Sequence, residues 1–224
     1  MRVAIVPAFV MMLALATTQA DARPTAPCTG CTLDVPDSKN PVPLVVVLHG
    51  DREHASAAAA RWRSAVKKRG WALLSLECPR DRECKDSFWE WDGDPSWVID
   101  QVVAVTKQIP IDPDRMFLIG WSGGASYIGA HAVAWAGTFA AVVFHGGGMA
   151  PRTADCPKRL PAYFLVGDRN PLHRLAKDLR AYFDQCKQAV TWDLLKRADH
   201  AKEETALGPK KTQAILTWLE HQHG

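Results

Sequence analysis

Met116-Phe117-Leu118-Ile119-Gly120-Trp121-Ser122-Gly123-Gly124-Ala125 decides the reading of this chain. An uncharged apolar run leads into a G-x-S-x-G pattern and out into small residues. The pentapeptide alone is common by chance. Between a strand and a helix, however, it describes a sharp turn that lifts a serine hydroxyl above the end of a sheet, with flanking glycines leaving room for close packing. The N-terminus of the following helix aims backbone N–H groups at charge developing beside the serine. Ser122 is therefore the candidate nucleophile.

Outward from this turn, two kinds of segment alternate. Continuous apolar runs occupy 44–48, 71–76, 116–119, 140–144, 162–166 and 190–195, and strands apolar on both faces belong to a parallel sheet covered by helices. Helical patterns fill 55–68, 96–107, 125–135, 172–185 and 210–221, with Pro95 and Pro209 near two of the starts. The predicted fold is α/β, a mainly parallel sheet of about six strands flanked by helices without a large lid, with a short edge strand near 32–35. Functional residues belong at the carboxyl ends of the strands.

A serine hydroxyl needs a base within hydrogen-bond reach. His200 follows the last predicted strand and is preferred to His145, His173, His221 and His223. Asp168 directly follows the run ending at Gly167 and is the predicted orienting acid. Asp199, next to His200 in sequence, reads instead as a loop or cap residue. The order Ser122, Asp168, His200 is that of the α/β-hydrolases. Backbone amides of Gly123 and Asp51 are the predicted oxyanion donors, Asp51 lying in the His49-Gly50-Asp51-Arg52 loop. A carboxylate in that hole would oppose an oxyanion, so the Asp51 side chain is expected to turn outward or pair with a cation such as Arg52. Trp89 and Trp91 lie in the long 79–95 loop and read either as a substrate wall or as plugs under it. Together with Trp121 and His145, a pocket wall at a strand end, they make up the candidate substrate-binding set.

Arg2, the uncharged run 3–16 and Ala20-Asp21-Ala22 have the pattern of a signal peptide over 1–22, leaving 23–224 as a single domain. The net charge of +3 is modest and no basic block marks a nucleic-acid or membrane footprint. All six cysteines lie beyond the signal. In an exported chain an even number points to disulfides, and proximity favours Cys28–Cys31, Cys78–Cys84 and Cys156–Cys186 among the roughly 15 pairings open to six cysteines.

The stretches Cys31-Thr32-Leu33-Asp34-Val35-Pro36, Pro43–Gly50 and Ile111-Asp112-Pro113-Asp114-Arg115, leading to Gly120-Trp121-Ser122-Gly123-Gly124, resemble secreted α/β-hydrolases of the polyhydroxybutyrate depolymerase and feruloyl or acetyl-xylan esterase group. The resemblance spans nearly all of 23–224. It implies a secreted or periplasmic serine esterase acting on a small-molecule or polymeric ester, with no metal or organic cofactor, no nucleic-acid partner and no membrane contact once the signal is removed. Gly50-Asp51 replaces the glycine pair of that group's oxyanion loop. An acyltransferase using the same triad and a non-catalytic binding protein of the same fold are the alternatives, separated by product analysis with an added acceptor and by organophosphonate labelling.

Overall fold

Strand β2 (Val42–Leu48) is buried along its whole length, and alternation along it feeds two separate cores. Leu44, Val46 and Leu48 face Val98 and Val102 of α2 (Ser96–Thr106), Ile128 of α3 (Gly123–Ala130), and Leu179 and Phe183 of α5 (His173–Gln185). Val45 and Val47 face Trp62 of α1 (Ala55–Lys68) and Ile215, Leu216 and Leu219 of α7 (Pro209–Glu220). Each such side chain contributes about 1.5–3 kcal/mol on full burial, and the period of two explains why the strand is continuously apolar. The computed structural model describes residues 23–80, 84–90 and 93–224. The signal-peptide stretch 1–22 and Trp91 lie outside them.

The sheet has seven strands in the order β1-β3-β2-β4-β5-β6-β7. The others are β1 (Thr32–Asp34), β3 (Ala72–Leu76), β4 (Ile111–Trp121), β5 (Ala141–His145), β6 (Ala162–Gly167) and β7 (Val190–Leu195). All pairings are parallel except β1 with β3. The predicted architecture is therefore present, with the short edge strand as its seventh member. β3 lies on one side of β2 and β4 on the other, so the chain reverses its direction of travel across the sheet at β2. A crevice forms at the carboxyl ends of strands where such a reversal occurs. The loop after β2 and the turn after β4 meet there.

Two helical expectations need correction. The pattern over 125–135 begins at Gly123 and breaks at His131 (φ −110°, ψ 24°), giving α3 and a short α4 (Ala132–Trp135). Trp135 Nε1 donates to the Ile128 carbonyl across the break at 2.8 Å, satisfying an acceptor that a continuous helix would have used. The second correction is an unanticipated helix, α6 (His200–Ala206), whose cap Asp199 accepts a hydrogen bond from the Lys202 amide at 3.0 Å.

The three disulfides join Cys28 to Cys31, Cys78 to Cys84 and Cys156 to Cys186. Among the described residues no helix is long and apolar enough to cross a membrane. The Cys156–Cys186 bridge has a sequence separation of 30 and ties the segment before β6 to the end of α5. Replacing both cysteines with serine should lower the unfolding free energy by roughly 3–4 kcal/mol through loop entropy, read as a lower urea midpoint with little change in slope.

Candidate active site

Ser122 occupies the turn between β4 and α3 with φ 51° and ψ −113°, a strained conformation for a residue with a Cβ. The chain is held there from several sides. Ser122 N donates to the His145 carbonyl at 2.9 Å, and Gly50 lies so close that an added Cβ would sit 2.6 Å from Trp121 Cδ1 and 3.3 Å from Ser122 Cβ. Only glycine lets the loop after β2 approach the nucleophile this closely.

The Ser122 hydroxyl lies 2.9 Å from His200 Nε2, as the sequence predicted. The orienting acid differs. His200 Nδ1 donates to Glu203 Oε2 at 2.8 Å, one helical turn along α6. A carboxylate can only accept, so Nδ1 carries the proton and Nε2 presents its lone pair to Ser122, as a general base requires. Asp168 is not brought to His200: its residue is exposed, and no hydrogen bond or ion pair joins the two. The cause is local. The Ala198 carbonyl packs so tightly on Gly167 that a Cβ there would overlap it, and the next residue, Asp168, turns to solvent.

Glu203 is completely buried, and its carboxylate gathers three donors: the Gly167 amide, His200 Nδ1 and Asn170 Nδ2, the last at 2.6 Å. Asn170 also approaches His200 Nδ1 at 3.2 Å, but two donors face each other there. The two amide protons of Asn170 are already directed to Glu203 and to the Gly146 carbonyl, so this approach is a contact rather than a hydrogen bond. Sequence reading missed Glu203 and Asn170. The available signal was an Asp at a cap position followed by His and Glu three apart, which places both side chains on one helix face.

Among the described aromatic candidates, Trp121 and His145 pack against His200 and α6, and Trp89 lies under its loop. Trp121 stacks on the His200 ring at 4.5 Å with 7° between planes, a face that favours the imidazolium formed during catalysis. His145 is buried, and its Nε2 donates to the Glu203 carbonyl at 2.8 Å. Burial holds its pKa down at about 3, so it stays neutral and anchors α6. Trp89 is also buried, donating from Nε1 to the His49 carbonyl at 3.0 Å and packing on Tyr127, a plug beneath its loop. A cavity of about 790 Å³ lies past the end of β3 between His54, Glu77, Trp97 and Gln101 and includes neither Ser122 nor His200.

Glu53 N donates to the Gly50 carbonyl at 3.2 Å and Arg52 has φ 63°, a turn whose second residue, Asp51, keeps its amide free of the turn bond. Among the described residues neither the Asp51 nor the Gly123 amide donates a backbone hydrogen bond outside the regular elements. The Asp51 side chain contradicts expectation: it turns inward onto Gly123 and makes no ion pair with Arg52, whose guanidinium lies over the Phe88 ring. The turn is tied down by Arg61 of α1, which forks onto both carboxylate oxygens of Glu53, reaches Glu204 of α6 at 2.7 Å and lies over the Trp121 ring at 5.5 Å. Glu53 in turn accepts from the Gly50 amide at 3.1 Å.

The family model described as Esterase PHB depolymerase matches residues 32–156. A thermostable esterase structure is 18% identical with a TM-score of 0.66, covering 87% of this chain; this chain spans only 59% of that protein. A phospholipase/carboxylesterase from Dyadobacter fermentans DSM 18053 is 15% identical with a TM-score of 0.65, covering 85% of this chain and 95% of its own. A dienelactone hydrolase-like promiscuous phosphotriesterase from metagenomic libraries is 17% identical with a TM-score of 0.65, covering 87% and 92%. No curated protein sequence matches significantly.

Burial works against the Glu53 carboxylate, but the Arg61 hydrogen bonds and charge outweigh it and hold its pKa below the usual value. A lowered folded-state pKa adds stability above the unfolded value and loses it as pH falls through the folded one. In Arg61→Met the burial cost is opposed mainly by the Gly50 amide. The variant should therefore lose on the order of 1–3 kcal/mol near neutrality and become less sensitive to acid than wild type, measured by urea unfolding across pH.

Proposed function

This chain belongs to the esterase PHB depolymerase family, and on that premise we propose that it cleaves carboxylic esters through an acyl-enzyme on Ser122. The observation that carries the proposal is the relay itself, Ser122 Oγ 2.9 Å from His200 Nε2 and His200 Nδ1 2.8 Å from buried Glu203. Ser122 attacks the ester carbonyl while His200 Nε2 takes the hydroxyl proton. Glu203 holds the tautomer and, with the Trp121 face, stabilises the imidazolium. The carbonyl oxygen becomes an oxyanion against the amides of Asp51 and Gly123. As the intermediate collapses, His200 passes the proton to the departing alcohol. Water then gives a proton to the same nitrogen and attacks the acyl group, and the proton returns to Ser122 as the acid leaves. His200 remains 38% exposed at its side chain, so ester and water reach it from the open face.

In this reading residues 23–224 form one domain and 1–22 an export signal. Three disulfides support a destination outside the cytoplasm, where such bonds persist.

With p-nitrophenyl esters of graded chain length, Ser122→Ala should lose essentially all turnover and all labelling by a fluorophosphonate. Glu203→Gln should lose about 10³–10⁴ in kcat with little change in KM, as when the acid of a serine triad is replaced by its amide. Asp168→Asn should stay close to wild type. A wild-type rate in Glu203→Gln with loss in Asp168→Asn would return the acid to Asp168. Full turnover in Ser122→Ala would remove the acyl-enzyme.

A further inference from the structure

The inward turn of Asp51 places a carboxyl group against Gly123, whose amide the acyl-enzyme reading assigns to the oxyanion. A Cβ on Gly123 would overlap both Asp51 Oδ1 and Cγ, so the carboxyl lies directly against the residue that follows the nucleophile. Oδ1 is buried and has no hydrogen-bond partner. The charges that act on it are Arg52 and Glu53 from its own loop and His200 from α6, while the Gly123 face of α3 brings no side chain. No ion pair to Asp51 occurs among the described residues, and Arg52 is turned to Phe88.

An ionised carboxylate fits this place badly. It gives up water without gaining donors at Oδ1, and it would face a second negative charge each time a tetrahedral intermediate formed. A carboxylic acid has neither difficulty. Its O–H is a donor of the kind an oxyanion needs, and burial is the means by which a carboxyl group can be kept neutral for that task. Burial does push the Asp51 pKa up, against the opposing influence of Arg52 and His200.

We propose that the Asp51 side chain acts as a carboxylic acid that donates a third hydrogen bond to the oxyanion, so that the esterase loses activity as pH rises and this group ionises. The inference rests on the acyl-enzyme reading above. The proton stays on Asp51: its hydrogen bond strengthens as the oxyanion forms and relaxes as the intermediate collapses, so nothing is transferred. Turnover then needs Asp51 protonated, and ionisation of Asp51 sets the alkaline limb of the pH profile.

The test is kcat/KM against pH for wild type, Asp51→Asn and Asp51→Ala with one p-nitrophenyl ester. Asparagine keeps a donor and cannot ionise, so its alkaline limb should disappear, with a gain over wild type of about tenfold for each pH unit above the lost limb. Alanine also cannot ionise but has no donor, and should run about 10- to 100-fold below asparagine across the profile. An Asp51→Asn enzyme that keeps the wild-type alkaline limb overturns the proposal, and so do asparagine and alanine variants of equal rate. Carboxyl-carbon NMR of the intact, oxidised Ser122→Ala protein supplies a second readout. An Asp51 midpoint at or below the ordinary aspartate value overturns the proposal, even in a fully active enzyme. Inertness of the wild type to every ester would instead overturn the acyl-enzyme reading and this proposal with it.

Discussion

A carboxylate with no access to water must find its donors inside the protein, and the rest of the site is arranged around how Glu203 finds them. Its three donors come from the end of β6, from the loop that follows, and from the first residue of α6. Removing any of them would leave part of a buried charge unsatisfied, at a cost comparable to a sizeable share of a domain's net stability. The imidazole is therefore oriented by the same contacts that seat α6 on the sheet. Folding and catalytic geometry are coupled through one side chain.

The other half of the crevice has its own tether. Arg61 reaches the oxyanion turn through Glu53, the elbow through the face of Trp121, and α6 through Glu204. These three segments are far apart in sequence and meet only because the chain reverses direction at β2. A guanidinium suits the task, since its planar fork engages a carboxylate with two nitrogens while its face lies on an aromatic ring. His49 plays a comparable part below the turn: Nδ1 donates to the Gly50 carbonyl at 2.7 Å and Nε2 accepts from the Cys78 amide at 3.1 Å, joining the β2 end to the disulfide-tied loop.

How much of this was readable in advance follows the range of the interactions. Strands buried on both faces announce themselves as apolar runs, as β2, β3, β5 and β6 do, whereas the edge strand β7 is only partly buried. The turn that carries Ser122 is readable because a strained turn demands small neighbours in the chain itself, and the place of His200 because it follows the last strand. The carboxylate partner of His200 is not, because the expectation that it directly follows a strand points to Asp168, whereas Glu203 lies on a seven-residue helix too short for its hydrophobic pattern to register. The two readings of Trp89, wall or plug, stay open in the sequence for a related reason. Composition says that Trp89, Trp121 and His145 lie near the crevice; whether they line it or lie under it depends on tertiary packing. The inward rotamer of Asp51 was equally hidden, since its cause is the empty Cα face of Gly123, a residue 72 positions away.

His200 and its carboxylate partner Glu203 sit three residues apart on one short helix, instead of on two loops separated by a strand. Their relative geometry is thus set by the helical repeat and not by the docking of independent segments. The spacing of that pair does not depend on the length of α5 or of its connection to β7, provided α6 still lands on β6 and Asn170 still reaches Glu203. An insertion or deletion of a single residue between His200 and Glu203 would swing one side chain by about 100° around the helix axis. Length changes are accordingly expected to be excluded within α6, which functions only together with the Gly167 and Asn170 donors it is seated on.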